Sequence, residues 1–372
     1  MKIAFDGRGI NWYAGTGIGT YSLNILTNLL KIDKENNYHI FWCGGNFEKL
    51  SYHNTNFILS SKKQHRFFEN FYFPQYINTN FLDVYHLPQN GLGLSENILA
   101  YKVITLHDII PYTMPDTVGK GYLSKFIENI PKIINLADAI ITVSEFSKND
   151  ICRFFPFSKD KIHVIPLAAN SNFKKHRKDY SKAYLAEMFG IEKDFILYIG
   201  GFSPRKNVPI LIEAFYKIKN DLNTPHNLVI VGSHKEQLFQ LQELVLDYDI
   251  EEDVYFTGYV SDDELPLFYS ACNLFVYPSL YEGFGLPVLE AMSCGSPVIT
   301  TNCTSIPEVA GDAVIYVDGC DVDELCDEIV DILNNNTKKI IYSKKSTERS
   351  LLFNWKKTAQ KTMEVYKLSM YQ

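Results

Sequence analysis

Two glutamates bracket the most chemically suggestive segment of this 372-residue chain, Glu282-Gly-Phe-Gly-Leu-Pro-Val-Leu-Glu290. The apolar run 274–277 before it reads as a strand, and Glu282-Gly283-Phe284-Gly285 as a loop that glycine makes permissive. Pro287 stands where a helix would begin, since its fixed φ suits the first turn and its missing N–H is not needed there. Gly295-Ser296-Pro297 stops that helix. Open parallel sheets bind ligands at the carboxyl ends of their strands, where such loops cluster. The helix N-terminus offers unsatisfied N–H groups and a positive dipole end, which suit a diphosphate. A carboxylate beside a phosphate would repel it, so Glu282 and Glu290 read as hydroxyl acceptors on either side, one on a sugar and one on a ribose. The plainer alternative is a backbone cap at Glu282 and a solvated helix residue at Glu290.

The elements that must position such a site recur along the whole chain. Candidate strands fall at 2–6, 38–42, 83–87, 102–107, 138–144 and 162–166, and a second series at 195–200, 228–232, 254–257, 274–277, 298–300 and 314–317. Amphipathic helical patterns lie between them at 21–30, 208–218, 235–246 and 324–333. Strands without clean alternation, separated by helices, imply parallel sheets covered on both faces. Two series imply an α/β chain of two doubly wound domains, 1–169 and 170–354, with 355–372 as a closing helix. The break falls at 168–179, where Asn-Ser-Asn and the charge run 174–178 interrupt the apolar periodicity and read as a solvated linker.

Composition narrows the class. Apolar residues make up 46% and charged residues 21%, the balance of a globular protein. No stretch approaches the ~20 apolar residues that span a bilayer, and the opening run is too short for a signal peptide; a cytoplasmic location is expected. The net charge of −7 argues against a nucleic-acid partner. Seven scattered cysteines contain no C-x-x-C pair, so neither a zinc site nor a disulfide framework is indicated. Asp321-Val-Asp323 mimics a D-x-D metal motif but precedes an amphipathic helix and reads as its start. No metal and no cofactor are expected. Gly15-x-Gly17-x-Gly19 has Thr20 where the dinucleotide fingerprint needs its third glycine. Lys62-Lys-Gln-His-Arg66 followed by Phe67, Phe68, Phe71, Tyr72 and Phe73 could rest on an anionic membrane surface or pack as an amphipathic helix.

The glutamate segment resembles the E-x7-E motif of the retaining family 4 glycosyltransferases, and the likeness runs in order over nearly the whole chain. Asp6-Gly7-Arg8 and Thr16-Gly17-Ile18-Gly19-Thr20-Tyr21 look like that family's N-terminal strand and glycine loop. Leu106-His107-Asp108-Ile109-Ile110-Pro111 looks like its N-domain histidine segment, and Val143-Ser144-Glu145-Phe146-Ser147 is similar to its serine-containing strand end. Gly200-Gly201-Phe202-Ser203-Pro204-Arg205-Lys206-Asn207 looks like its phosphate loop, and Phe256-Thr257-Gly258-Tyr259-Val260 like its base-binding strand end. Two positions depart from the pattern: Gly201 stands where many members carry Arg, and 165–169 lacks a frequent Asn-Gly.

The resemblance implies the GT-B architecture, two Rossmann-like domains facing a central cleft, with the C-terminal helix crossing back to the N-domain. The first domain would bind the acceptor and the second a nucleotide diphosphate sugar, the donor substrate. It implies that Arg205 and Lys206 hold the donor diphosphate, a fixed cationic clamp at a developing anion. Glu282 would meet the hexose, with backbone at Phe284, Gly285 and Leu286, and Glu290 the ribose. Gly17 would approach the diphosphate, His107 would lie beside the transferred sugar, and Tyr259 and Val260 would offer backbone to the base. Ser144 would belong to the donor site or simply cap its helix. The motifs are most similar to the mannosyltransferase-like branch, which favours GDP-mannose over UDP-glucose or UDP-N-acetylglucosamine. A glycan or lipid-linked acceptor in surface polysaccharide synthesis is implied, with retention and with peripheral contact at the inner face of the cell membrane open. The rival from another class is a non-catalytic sugar-nucleotide-binding protein.

Overall fold

The computed structural model describes residues 1–232 and 235–371. The chain forms two compact units, Met1–Ala168 with Asn354–Gln372, and Ala169–Phe353.

The first unit is built on seven parallel strands: β1 (Lys2–Asp6), β2 (Asn37–Cys43), β3 (Thr55–Ser60), β4 (Val84–Leu87), β5 (Tyr101–Thr105), β6 (Ala139–Thr142) and β7 (Ile162–Val164). Their order is β3-β2-β1-β4-β5-β6-β7. β4 and β6 are buried along their whole length, which explains why neither shows a polar–apolar alternation. β3 escapes the sequence pattern for the opposite reason. It is an edge strand in which only Ile58 is buried and Leu59 faces solvent, so it carries little of the apolar signature that betrays a strand.

The helix Gly17–Ile32 opens on Thr16, whose side chain accepts from the Gly19 amide. A Cβ at Gly19 would fall 2.1 Å from the Tyr13 carbonyl, so that turn admits glycine alone. The closing helix Trp355–Lys367 is capped by Asn354 and buries Trp355, Ala359, Met363 and Tyr366. It packs on the Gly17–Ile32 helix, with the Trp355 and Tyr21 rings 6.1 Å apart.

The basic–aromatic segment divides between core and surface. A π-helical turn, Phe68–Tyr72, shifts the helical phase, so Phe73 stacks on Phe41 at 3.9 Å while Phe67 and Phe71 remain exposed.

The second unit carries β8 (Asp194–Ile199), β9 (His226–Val231), β10 (Val254–Gly258), β11 (Leu274–Tyr277), β12 (Val298–Thr301) and β13 (Ile315–Val317). The order β10-β9-β8-β11-β12-β13 is the doubly wound dinucleotide-fold order, whose topological switch lies between the first and fourth strands. Here that crevice opens at the carboxyl ends of β8 and β11. Asp321 caps the helix Val322–Asn334 by accepting from the Asp323 and Glu324 amides. The D-x-D mimic is therefore a helix start.

Candidate active site

The loops leaving β8 and β11 meet at the switch point. Asn207 holds a left-handed φ of 55°, a conformation asparagine tolerates better than most residues, and its side chain donates to the Gly319 carbonyl at 2.6 Å. That turn separates Arg205 and Lys206 from the helix Val208–Ile218. The β11 loop is tied to the same turn, since the Leu280 amide donates to the Arg205 carbonyl at 2.7 Å.

Glu282 lies at the centre of this junction, 7% exposed. Its Oε1 accepts from Lys206 Nζ at 2.5 Å, Ser279 Oγ at 2.6 Å, Tyr277 Oη at 3.0 Å and Arg205 Nη1 at 3.1 Å. Arg205 also donates to the Tyr281 carbonyl at 2.9 Å. Burial pushes the Glu282 carboxyl up, but Lys206 and then Arg205 outweigh it and hold the group at about 2. A buried carboxylate so placed fixes two cations in one geometry. Thus Arg205, Lys206 and Glu282 are brought together, and the carboxylate expected to meet the hexose is paired with both cations.

Eight residues on, Glu290 sits in the helix Leu286–Ser293, for which Gly285 at φ 94° is the N-cap. Tyr269 Oη donates to its Oε2 at 3.2 Å. Burial pushes the Glu290 carboxyl up to about 8, a direction the nearby Asp262 reinforces. Phe284 is buried and Leu286 half-buried beside this N-terminus. Gly258, at φ 72°, ends β10; Tyr259 is exposed and Val260 buried.

In the first unit, Gly17 is the first residue of its helix and is exposed. Ser144 caps Glu145–Phe154, its side chain accepting from the Ser147 amide at 3.0 Å. His107 follows β5 and is 8% exposed. Its backbone amide donates to Asn90 Oδ1 and its Nε2 lies 3.0 Å from the Pro88 carbonyl. A carbonyl can only accept, so Nε2 holds the proton and Nδ1 the lone pair. Burial lowers the imidazole to about 4; it is neutral at physiological pH.

Some contacts had no sequence signal. Tyr277 read only as the end of a strand and Ser279 only as the chain leaving it, yet both hold Glu282. Arg8, wholly buried, is bidentate on Asp6 and pairs with Glu69 at 3.0 Å, a partner sixty-one positions away. Among the described residues no three His, Cys, Asp or Glu side chains are grouped as a metal would require.

Comparison with known proteins accounts for both units. The model described as Glycosyltransferase Family 4 matches residues 16–172, and that described as Glycosyl transferases group 1 matches residues 187–349. O-antigen chain mannosyltransferase B of Escherichia coli is 34% identical over 285 residues, covering 77% of this chain and 74% of that protein. The chain belongs to glycosyltransferase family 4. Its fold is GT-B. Sucrose-phosphate synthase from Thermosynechococcus elongatus superposes with a TM-score of 0.76 at 21% identity, covering 100% of this chain and 99% of that one. Anabaena HepE, in complex with UDP and glucose, gives 0.77 at 17% identity, covering 98% of each chain. The Arg205–Lys206–Glu282 junction lies on the loops that follow β8 and β11 of the second unit. Among the described residues no helix is long and apolar enough to cross a membrane.

Proposed function

We propose that this family 4 glycosyltransferase moves a mannosyl group from GDP-mannose to a glycan or lipid-linked saccharide acceptor, in the synthesis of an O-antigen-like surface polysaccharide. The observation that carries the reading is the Arg205–Lys206–Glu282 junction at the switch point of the second unit. Two cations held rigid by one buried carboxylate are preorganised for charge that develops on a leaving diphosphate, and need no reorganisation when it appears. The mannosyl preference rests on the likeness to the E. coli mannosyltransferase.

In this reading Arg205 and Lys206 neutralise the diphosphate and make a metal unnecessary, and the N-terminus of Leu286–Ser293 adds backbone N–H groups. Glu290 binds ribose hydroxyls, backbone at Tyr259 and Val260 meets the base, and Gly17 lets backbone come near the phosphates. Glu282 serves the hexose as well as the cations. His107 offers its Nδ1 lone pair to a sugar hydroxyl. The bond from the anomeric carbon to the phosphate oxygen breaks as the acceptor oxygen bonds on the same face. The acceptor proton passes to the departing diphosphate, and configuration is retained. Ser144, engaged with its helix, acts as a cap. The exposed Phe67 and Phe71, following Lys62, Lys63 and Arg66, suit peripheral contact with an anionic membrane face.

The test is release of nucleoside diphosphate from GDP-mannose, UDP-glucose and UDP-N-acetylglucosamine, each with methyl α-mannoside as acceptor. GDP release is expected from the wild type and, at about a hundredth of the rate or less, from Lys206→Gln. Tight donor binding with no turnover of any of the three would leave a sugar-nucleotide-binding protein instead.

A further inference from the structure

The core of the first unit contains a chain of hydrogen-bonded polar groups whose last member, Tyr21, packs its ring against His107. Tyr366 Oη, on the closing helix, lies 2.6 Å from His86 Nδ1. His86 Nε2 lies 2.8 Å from Thr105 Oγ1, and Tyr21 Oη lies 2.9 Å from that same oxygen. The Tyr21 ring then meets the His107 ring edge to face, with centroids 4.8 Å apart and planes at 86°. Tyr366, His86 and Thr105 are 0% exposed and Tyr21 is 1%. Burial keeps His86 neutral by lowering it to about 3. It therefore has one N–H and one lone pair, and the hydroxyls of Tyr366 and Thr105 can each donate or accept to match.

Such a chain is costly to retain for packing alone. Apolar side chains of similar volume would fill the same space without desolvating five polar atoms, whereas a satisfied polar network specifies one arrangement. The arrangement it specifies concerns the His107 ring. Nε2 is held by the Pro88 carbonyl and the backbone amide by Asn90 Oδ1; those two contacts still allow the ring to tilt about the Nε2 bond. The Tyr21 ring closes that freedom, and Tyr21 is itself set by Thr105, His86 and Tyr366.

We infer that Tyr366, His86, Thr105 and Tyr21 are positioning residues that fix the plane of the His107 imidazole, so that the C-terminal helix, 280 positions from His86 in sequence, sets the aim of Nδ1. The inference rests on the reading of His107 as a sugar-hydroxyl acceptor given above. It makes the closing helix part of the active-site apparatus as well as a packing element.

The experiment is a double-mutant cycle on turnover of GDP-mannose with methyl α-mannoside. Tyr366→Phe and Thr105→Val each remove one hydroxyl at nearly constant volume, and Thr105→Ser keeps it. In the wild-type background the first two are expected to lower kcat about tenfold with donor KM unchanged within twofold, and Thr105→Ser to stay near wild type. In the His107→Ala background neither should have any further effect. Trp12, Trp42 and Trp355, the three tryptophans of the chain, all lie in the first unit, so tryptophan fluorescence on heating checks that each variant folds; if Tyr366→Phe does not, Thr105→Val decides. Equal losses in both backgrounds, or no loss in the wild-type background, would overturn the inference and leave the reading of His107 standing. A His107→Ala protein as active as the wild type would overturn that reading and the inference with it.

Discussion

Neutralising Glu282 tests the junction where stability and chemistry meet. The carboxyl is held at about 2 against an ordinary 4.5, and each pKa unit is worth about 1.4 kcal/mol, so the folded second unit gains about 3 kcal/mol from its ionisation. Glu282→Gln keeps the shape and removes that charge, leaving Lys206, 8% exposed, without its counter-charge. Because the folded value is depressed, the stabilisation is complete above pH about 4.5 and is lost as pH falls toward about 2. The wild type should thus exceed Glu282→Gln by about 3 kcal/mol at pH 7, and the gap should narrow by about 2 kcal/mol on going to pH 3. For a unit of this size the pH 7 difference lowers the melting temperature by about 6–12 °C. Far-UV circular dichroism follows both units on heating, while tryptophan fluorescence follows only the first, where every tryptophan lies. The lowered transition should appear in the first signal and not in the second. A melting temperature unchanged at pH 7, or a gap that stays constant from pH 7 to pH 3, would refute the argument that the carboxylate is held by its two cations.

Other substitutions test neighbouring residues. With its carboxyl at about 8, Glu290 is mostly protonated at pH 7, so Glu290→Gln should keep donor KM within about threefold while Glu290→Ala raises it about tenfold or more, a loss of charge-free hydrogen bonds. Steady-state kinetics distinguishes the two. Asn207→Gly keeps access to the left-handed turn and loses one hydrogen bond, about 1 kcal/mol; Asn207→Ala adds the left-handed penalty, about 1–2 kcal/mol more, and should melt lower by circular dichroism. Since His107 stays neutral down to about 4, turnover between pH 5 and 7.5 should show no limb at the ordinary histidine value. A limb near 6.5 that His107→Gln abolishes would contradict its burial.

Much of the fold was legible because it is written in local pattern. Fully buried parallel strands such as β11 are short apolar runs by necessity, and Gly285, Pro287 and Asp321 mark a turn and helix starts by their own backbone preferences. What stayed hidden is what no local pattern encodes. β3 lies at an edge with one buried residue. The π turn at Phe68–Tyr72, which brings Phe73 onto Phe41, has no signature in the residues of the turn itself. The direction of Glu282, toward Arg205 and Lys206, depends on a strand crossing that joins residues over seventy positions apart, and the pairing of Arg8 with Glu69 depends on another. The sequence could name these residues as polar and well placed, but only the fold shows which of them face one another.

The proposed retaining transfer of mannose is tested most directly by the product of a single reaction. GDP-mannose is an α-linked donor, so proton NMR of the disaccharide formed on methyl α-mannoside should show one new α-mannosidic anomeric signal, with one GDP released per linkage. A β-linked product, or turnover of a UDP-sugar in place of GDP-mannose, would contradict it.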